Sequence, residues 1–399
     1  MPFEETCRVE ERIALFRDYE SGAFTVADLC RRHGISRETF YVWRRRRDGG
    51  GERWFEERSC APGHCPHATR PDVVAAVLAL RERFPSYGPK KLVARLPVVY
   101  PGLVVPSAST VGALLKRAGL VAAKPRRRRP IDRGEIVAGA EAPNGEWSVD
   151  FKGWFRTRDG TRVDPLTVSD TASRYLLQVR ITPPTHAGVK VVLERVFAEV
   201  GLPDAIRSDN GSPFGSSGAG GLSRLSVWLI KLGVEPRFIP PSSPQDNGRH
   251  ERMHRTLKAE TARTPADSWE QQQVRFNLFR RAYNEERPHE ALGQARPASR
   301  WAPPCRFLPA RVPEPWCDAN HEVRRVRPDG TIKWHGEHVF IGEALARETI
   351  GLAEHERGHV VRFSDRELGL LDVAGRFHRF APPRWRLRSA VEPARTQSE

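Results

Sequence analysis

Long apolar runs are missing from this 399-residue sequence. No stretch approaches the ~18 consecutive apolar residues that a membrane span needs. The first residues, MPFEETCRVEER, are acidic and lack the basic-then-apolar order of a secretory signal. We therefore expect a cytoplasmic chain that has no membrane partner.

Cysteine is also scarce, and its six copies are scattered, which is typical of a reducing compartment and not of a disulfide framework. One cluster, Cys60, His64, Cys65 and His67, lacks a second ligand pair at zinc-finger spacing. It lies in a loop that contains Pro and Gly, so we interpret it as a linker and not as a zinc site. A P-loop pattern is missing too, which leaves nucleotide-driven chemistry without support.

Lysine supplies few of the positive charges. Lys and Arg together number 65 against 49 Asp and Glu, for a net charge of +16 and a pI near 10.1, and most of the 65 are Arg. A coding bias could produce this Arg excess. Arg also makes bidentate contacts to phosphate and guanine that Lys cannot make. The composition therefore favours a polyanionic partner, and DNA is our expectation.

The length predicts several domains. Residues 1–50 contain a helix with an apolar face, a His-Gly-Ile-Ser turn and a second helix that Ser36 can cap. This order is that of a helix-turn-helix, whose second helix enters the major groove of DNA. The expected DNA contacts are basic residues at the two ends of that helix: Arg37, Arg44, Arg45, Arg46 and Arg47. The alternative is an ordinary helical hairpin with a solvated basic end.

Residues 68–122 are predicted to form a second helical, helix-turn-helix-like domain. Ser107 or Ser109 can cap its last helix. Residues 123–145 form a basic linker. Four adjacent arginines in this linker cannot pack into a core, so we expect them either in solvent or along DNA phosphates. They are Arg126, Arg127, Arg128 and Arg129.

Residues 146–300 change to a mixed pattern. Alternating segments at 147–155, 161–169 and 174–181 predict three antiparallel strands. A helix (about 185–200), a short strand (204–208), a helix (222–232), an extended piece (235–239) and two helices (about 245–263 and 268–286) follow. This order describes an α/β domain with helices on both faces of its sheet. Residues 318–376 return to strands and turns, which predicts a small barrel-like β domain.

Three acids stand out in the α/β segment. Asp150 lies within an apolar strand, Asp209 follows a short strand, and Glu251 lies on a basic helix. Taken alone, Glu251 could be a simple ion-pair partner. Together, the three carboxylates can hold two divalent cations that activate an attacking oxygen and stabilise a leaving one at phosphorus. Arg255 and Lys258 lie on the same helical face as Glu251, where they could grip a DNA backbone.

These segments resemble the integrase catalytic core shared by insertion-sequence transposases and retroviral integrases. The matching motifs are WSVDFK at 147–152, SDNG at 208–211, SPQDNGRHER at 243–252, HRTLK at 254–258 and YNEERPH at 283–289. The sequence looks most like the IS481-type branch near the IS3 group. The resemblance implies a ribonuclease-H-like fold, Mg²⁺ or Mn²⁺ as cofactor, Asp150, Asp209 and Glu251 as catalytic residues and metal ligands, and a multimer that joins element ends to target DNA.

Two features depart from the family pattern. The segment between Asp209 and Glu251 is longer than usual, and we interpret the surplus as a flexible stretch at 215–221 (GSSGAGG), which costs little loop entropy. The His/His/Cys/Cys zinc module of retroviral integrases is absent, and helical units take its place. The leading hypothesis is a transposase or integrase. A purely hydrolytic nuclease and a decayed element that only binds DNA are the alternatives.

Overall fold

The computed structural model describes residues 7–51, 53–56, 66, 68–121, 142–216, 218–239 and 248–380. The four linker arginines and the Cys60 to His67 cluster lie outside the described residues. The chain divides into two units, residues 1–68 and 69–399. Among the described residues, no helix is long and apolar enough to cross a membrane.

The first unit is a three-helix domain. Thr25 and Ser36 cap the second and third helices by accepting hydrogen bonds from the backbone N–H three residues on. The buried core consists of Leu15, Phe16, Leu29, Cys30 and Phe40. The helices are α1 (Arg8–Glu20), α2 (Val26–Arg32) and α3 (Arg37–Gly49). The predicted helix, turn and capped helix are thus confirmed.

The second unit begins with another three-helix segment. Its helices are α4 (Pro71–Arg83), α5 (Pro89–Val99) and α6 (Ala108–Arg117). The cap of α6 is Ser107, whose hydroxyl accepts a hydrogen bond from the Thr110 N–H at 3.1 Å. Val77, Leu92 and Val111, one from each helix, are fully buried in a common core.

The α/β segment is built on one mixed sheet of order β5-β4-β1-β6-β7. β1 pairs antiparallel with β4 and parallel with β6. Its strands are β1 (Trp147–Phe151), β4 (Pro165–Asp170), β5 (Leu176–Ile181), β6 (Ala205–Ser208) and β7 (Glu235–Phe238), and a short hairpin, β2 (Phe155–Arg156) with β3 (Arg162–Val163), lies between β1 and β4.

Helices cover both faces of this sheet, as predicted. One apolar cluster joins Val149 and Leu177 to α7 and α8, and a second joins Leu176 and Val179 to α9 and α10. The helices are α7 (His186–Val200), α8 (Arg224–Lys231), α9 (Gly248–Leu257) and α10 (Trp269–Glu285), and a π-helical turn at Lys258–Ala262 continues α9. This is a mixed α/β arrangement with one central sheet between two layers of helices.

The C-terminal region forms a five-stranded antiparallel sheet of order β14-β13-β12-β11-β8, with a separate β9–β10 hairpin. The strands are β8 (Glu322–Arg325), β9 (Thr331–Trp334), β10 (Glu337–Phe340), β11 (Thr349–His355), β12 (Gly358–Phe363), β13 (Arg366–Asp372) and β14 (Phe377–Arg379). In the described residues, β8 and β14 end the sheet without pairing to each other. The small β domain is therefore present, and closure into a barrel stays a prediction.

The interpretation of residues 215–221 as a flexible stretch is wrong for the residues that the structure describes. Ala219 and Leu222 are buried, and they belong to the apolar core of the C-terminal sheet. A Cβ on Gly220 would lie 3.1 Å from the Leu368 side chain, so the glycine allows close approach of the two segments. The added residues are thus a packed contact between the α/β segment and the C-terminal sheet.

The second helical segment packs on the far end of the Tyr283 to His289 motif. Arg287 is 7% exposed, and its Nη1 donates to Glu260 Oε1 at 2.8 Å and to Ser86 Oγ at 3.2 Å. Its guanidinium also lies 5.1 Å from the centre of the Tyr87 ring. Arg95 donates to Glu286 at 3.3 Å. The motif therefore joins α5 to α10 and to the π-helical turn after α9.

Candidate functional site

The sheet register places the two predicted catalytic aspartates side by side. Trp147 and Ser148 of β1 pair in parallel with Ile206 and Arg207 of β6. Asp150 lies two residues beyond the paired Ser148, and Asp209 directly follows β6, two residues beyond the paired Arg207. Both therefore lie at the carboxyl edge of adjacent parallel strands, where open α/β sheets place their ligands.

The helix that carries Glu251 is fixed to this edge through two histidines. His250 and His254 are one helical turn apart, so both face the sheet. Their Nε2 atoms lie 2.6 Å and 2.7 Å from the Thr167 hydroxyl, and His250 Nδ1 lies 3.2 Å from the Ser169 hydroxyl. Thr167 is the direct partner of Asp150 across β1 and β4. The start of α9 is therefore held next to Asp150.

The hydrogen bonds determine which atoms carry protons. Thr167 has one hydroxyl proton, and it donates this to the Asp150 carbonyl at 2.9 Å. Both histidines must then donate from Nε2 to the Thr167 oxygen, which leaves His250 Nδ1 to accept from Ser169. Burial lowers the pKa of His250 to about 3 and that of His254 to about 2, so both are neutral at pH 7. The two uncharged imidazole rings thus form hydrogen bonds with Thr167 and Ser169 in which every donor and acceptor is assigned.

The tight cluster of potential ligand atoms at this edge contains Asp150 and the two histidines, and neither of the other two acids. Among the described residues, Asp150, His250 and His254 each offer one potential metal-ligand atom, and these three atoms lie within 4.8 Å of one another. Asp209 and Glu251 do not belong to that group. Glu251 is exposed on the first turn of α9. Asp209 is exposed, yet partial desolvation of its carboxylate raises its pKa, and a hydrogen bond from the Gly211 N–H at 3.2 Å opposes this shift. A carboxylate in that environment is suited to a cation.

Basic side chains surround this edge. Arg255 and Lys258 are exposed on α9 and on the turn that follows it. Lys152, two residues after Asp150, is half-buried, and its pKa is lowered by burial and by the nearby Lys258. The sequence pattern had not singled out Lys152. Lys152 and Lys258 therefore lie near each other at the predicted catalytic edge, and Arg255 is exposed on the same helix as Glu251.

The predicted contacts on α3 divide into two groups. Arg37 and Arg45 are exposed. Arg44 and Arg46 lie over the rings of Tyr19 and Trp43, at 5.4 Å and 4.5 Å from the ring centres. Arg47 contacts residues of its own domain: it pairs with Glu20 and lies 5.2 Å from the ring centre of Phe16 and 5.7 Å from that of Trp54.

His250, His254, Thr167 and Ser169 are site residues that the sequence reasoning missed. A spacing of four residues between two histidines on a predicted helix was the available signal, because it puts both on one face. Their partners were hidden, because only the pairing of β1 with β4 reveals that Thr167 lies beside Asp150.

Known domain models match two parts of the chain. Two models of the integrase core domain match residues 140–244 and 232–297. A helix-turn-helix domain model matches residues 11–53. The integrase matches thus contain β1, β6 and α9, and the helix-turn-helix match contains α1 to α3.

Similar proteins come from insertion elements and from retroviruses. A 39.2 kDa protein of insertion element IS476 from Xanthomonas euvesicatoria is 27% identical over 188 residues, covering 46% of this chain and 52% of that protein. A 31.7 kDa protein of IS407 from Burkholderia multivorans is 29% identical over 193 residues, covering 46% and 65%. The Gag-Pol polyprotein of Baboon endogenous virus is 33% identical over 125 residues, covering 29% and 6%.

Two solved structures are similar to the chain. The HTLV-2 integrase catalytic core domain in complex with magnesium gives a TM-score of 0.32 at 15% identity, covering 40% of this chain and 98% of that chain. The simian T-cell lymphotropic virus intasome in complex with PP2A regulatory subunit B56 gamma gives a TM-score of 0.36 at 15% sequence identity. That match covers 73% of this chain and 97% of that chain. The chain matches about half to two thirds of the length of the two insertion-element proteins. Segments of the chain match models of a helix-turn-helix domain and of an integrase core domain, and the chain is similar to the proteins of IS476 and IS407.

Proposed function

We propose that this protein is a DDE-type transposase that cuts DNA at the ends of an insertion element and joins those ends to target DNA. One observation supports the proposal above the others. The parallel register of β1 and β6 puts Asp150 and Asp209 at the same edge, and the Thr167 contact with His250 and His254 holds the start of the Glu251 helix beside them.

The three acids are proposed as both catalytic residues and metal ligands. Partial desolvation disfavours the charged Asp209 carboxylate, and a bound cation would offset that cost. Carboxylate oxygens are the ligands that Mg²⁺ and Mn²⁺ prefer. Two such ions would activate the attacking oxygen and stabilise the leaving oxygen at the scissile phosphate. Asp150 and Asp209 would share one ion. Glu251, exposed on the first turn of α9, would reach the site when DNA and metal are bound.

DNA contacts are proposed at both ends of the chain. Arg37 and Arg45 on α3 are exposed, and among the described residues Arg45 Nε donates only to the Tyr41 carbonyl at 3.3 Å, so both are proposed to enter a groove. Lys152 and Lys258 near the catalytic edge, and Arg255 on α9, are proposed to contact backbone phosphates. The remaining parts of the proposal are a homo-multimer on DNA, location in the bacterial cytoplasm with the nucleoid, and membership of the IS481-type branch. The motifs at 208–211, 243–252 and 283–289 support the last of these.

Strand transfer with labelled element ends and Mn²⁺ tests the proposal. We expect Asp150→Asn, Asp209→Asn and Glu251→Gln each to lower joining by about 10³-fold or more while DNA binding stays close to wild type, and the losses should be non-additive. Asp204→Asn is the matched control, because Asp204 directly precedes β6 and its side chain is 74% exposed. Its joining should be unchanged.

The same assay separates the alternatives. Cleavage that is never followed by joining would indicate a hydrolytic nuclease. Binding without either reaction in the wild-type protein would indicate a decayed element. Near-wild-type joining by one of the three variants would remove that residue from the catalytic set.

A further inference from the structure

A cavity of about 490 Å³ lies between the segment that follows Asp209 and the C-terminal sheet. One wall comes from the α/β segment, with Ser212, Gly215 and Ser216 within seven residues of Asp209. The opposite wall comes from the end of β10 and the residues after it, including Phe340 and Glu343. The packing of Ala219 and Leu222 into the C-terminal core holds these two walls together.

The α/β side of the cavity favours an anion. Helices α7 and α8 both begin at the cavity, with His186 and Arg224 as their first residues, so both positive helix ends face the same space. Arg224 is exposed, with no acidic partner among the residues that the structure describes, and Arg379 also lines the cavity. The Nε2 of His186 is buried and has no hydrogen-bond partner within the described ranges. These groups suit a phosphate.

The opposite wall carries a large exposed aromatic ring. Phe340 is 54% exposed although it lies at the end of a strand in a folded domain. Its ring rests against Gly330, where a Cβ would come within 2.9 Å of the ring. The ring is therefore held in place from one side. Glu343 beside it repels a phosphate but can accept a hydrogen bond from the amino group of a base.

We propose that this cavity binds one unpaired nucleotide of a DNA strand, with its base stacked on Phe340 and its phosphate held by Arg224 at the N-terminal end of α8. Aromatic stacking beside cationic side chains is how proteins bind single strands without reading their sequence. The position next to Asp209 would hold a strand end that has left the duplex near the reacting phosphodiester. This inference rests on the proposed function for the origin of that strand, while the binding itself needs no catalysis.

The test measures binding of the full-length protein in EDTA, so that no strand is cut. The probes are a labelled oligo(dC) of about ten nucleotides and a blunt duplex of unrelated sequence. Phe340→Ala should weaken oligo(dC) binding by about 5- to 150-fold and change duplex binding by less than about 2-fold. Phe340→Trp should retain binding, since it keeps a stacking surface. Arg224→Ala should lower the slope of log K against log salt by about 0.7.

Phe307→Ala is the matched control, because Phe307 is 80% exposed and does not line the cavity. Four results would overturn the inference: no binding of oligo(dC) by the wild type, wild-type binding by Phe340→Ala, an equal loss on duplex DNA, or displacement of oligo(dC) by free dCMP at equal concentration. A Phe340 effect in a protein that never joins strands would defeat the proposed function and leave this site standing. Efficient joining with no Phe340 effect would defeat the nucleotide site and leave the proposed function standing.

Discussion

Removing the guanidinium of Arg287 should detach the second helical segment from the α/β segment. This side chain is 8% exposed and lies at the centre of the contact between the two segments. It donates to Glu260 and Ser86 and lies over the Tyr87 ring. Arg287→Ala leaves the Glu260 carboxylate without its cationic partner in a partly buried site. Arg287→Lys keeps the charge but loses the planar guanidinium that lies over the Tyr87 ring.

The magnitude follows from the burial of the two partners. Breaking a fully buried ion pair from one side costs about 3–5 kcal/mol. The Glu260 side chain is 33% exposed and keeps a 2.6 Å hydrogen bond from the Ser86 hydroxyl, so water and Ser86 offset part of that cost. We therefore expect Arg287→Ala to weaken the contact by about 2–3 kcal/mol, and Arg287→Lys by about 1 kcal/mol.

Hydrogen exchange measured by mass spectrometry is the appropriate assay, because it reports local opening free energies segment by segment. A loss of 2–3 kcal/mol should speed exchange at residues 86–95 and 258–262 by about 30- to 150-fold. Exchange in α1 to α3 and in the C-terminal sheet should not change. Arg281→Ala, at an exposed arginine on α10 six residues before Arg287, is the control and should leave every segment as in the wild type.

Two outcomes would refute the reasoning about Arg287. Unchanged exchange at both segments would mean that apolar packing alone holds the interface. A uniform increase over the whole second unit would mean that the variant destabilises the fold and not this contact.

Three further predictions concern the site and its surroundings. Thr167→Val should leave two buried imidazole N–H groups without an acceptor, lowering the free energy of unfolding by about 2–4 kcal/mol in urea titrations and impairing joining, whereas Thr167→Ser should resemble the wild type. Burial lowers the pKa of His289 to about 3 in the folded state, below its unfolded value, so the stability contributed by neutral His289 is present at pH 7 and is lost as the pH falls below about 6.5. At pH 5 the wild type should have lost about 2 kcal/mol more than His289→Gln, and equal losses would disprove the assignment. Arg255→Ala and Lys258→Ala should each weaken binding to all DNA sequences alike and reduce the salt slope by about 1, and a changed base preference would contradict a backbone contact.

Periodicity predicted most helices and strands of the α/β segment because their buried faces are regular. The helix predicted at about 185–200 is α7, and the strand predicted at 204–208 is β6. The first strand was predicted too long. It ends at Phe151 because Gly153 adopts a φ of +88°, a conformation that interrupts an extended strand and starts the short hairpin.

Composition misjudged residues 215–221 for a physical reason. Gly and Ser make an isolated chain flexible, but the order of a segment in a folded protein depends on what covers it. Here the cover comes from the C-terminal sheet, more than a hundred residues later, and Leu368 lies against Gly220. No local pattern carries that information. The contact between Thr167 and the two histidines escaped prediction for the same reason.

The helix that carries Glu251 is held at both of its ends by contacts that lie outside the predicted catalytic set. At its start, His250 and His254 bind Thr167 on the strand next to Asp150. At its far end, the π-helical turn presents Glu260 to Arg287 and Ser86 of the neighbouring segments. Such turns occur often at functional sites, where they re-aim a helix. The orientation of the helix that carries Glu251 therefore depends both on the sheet and on the docked second helical segment. A change in that docking should shift this helix.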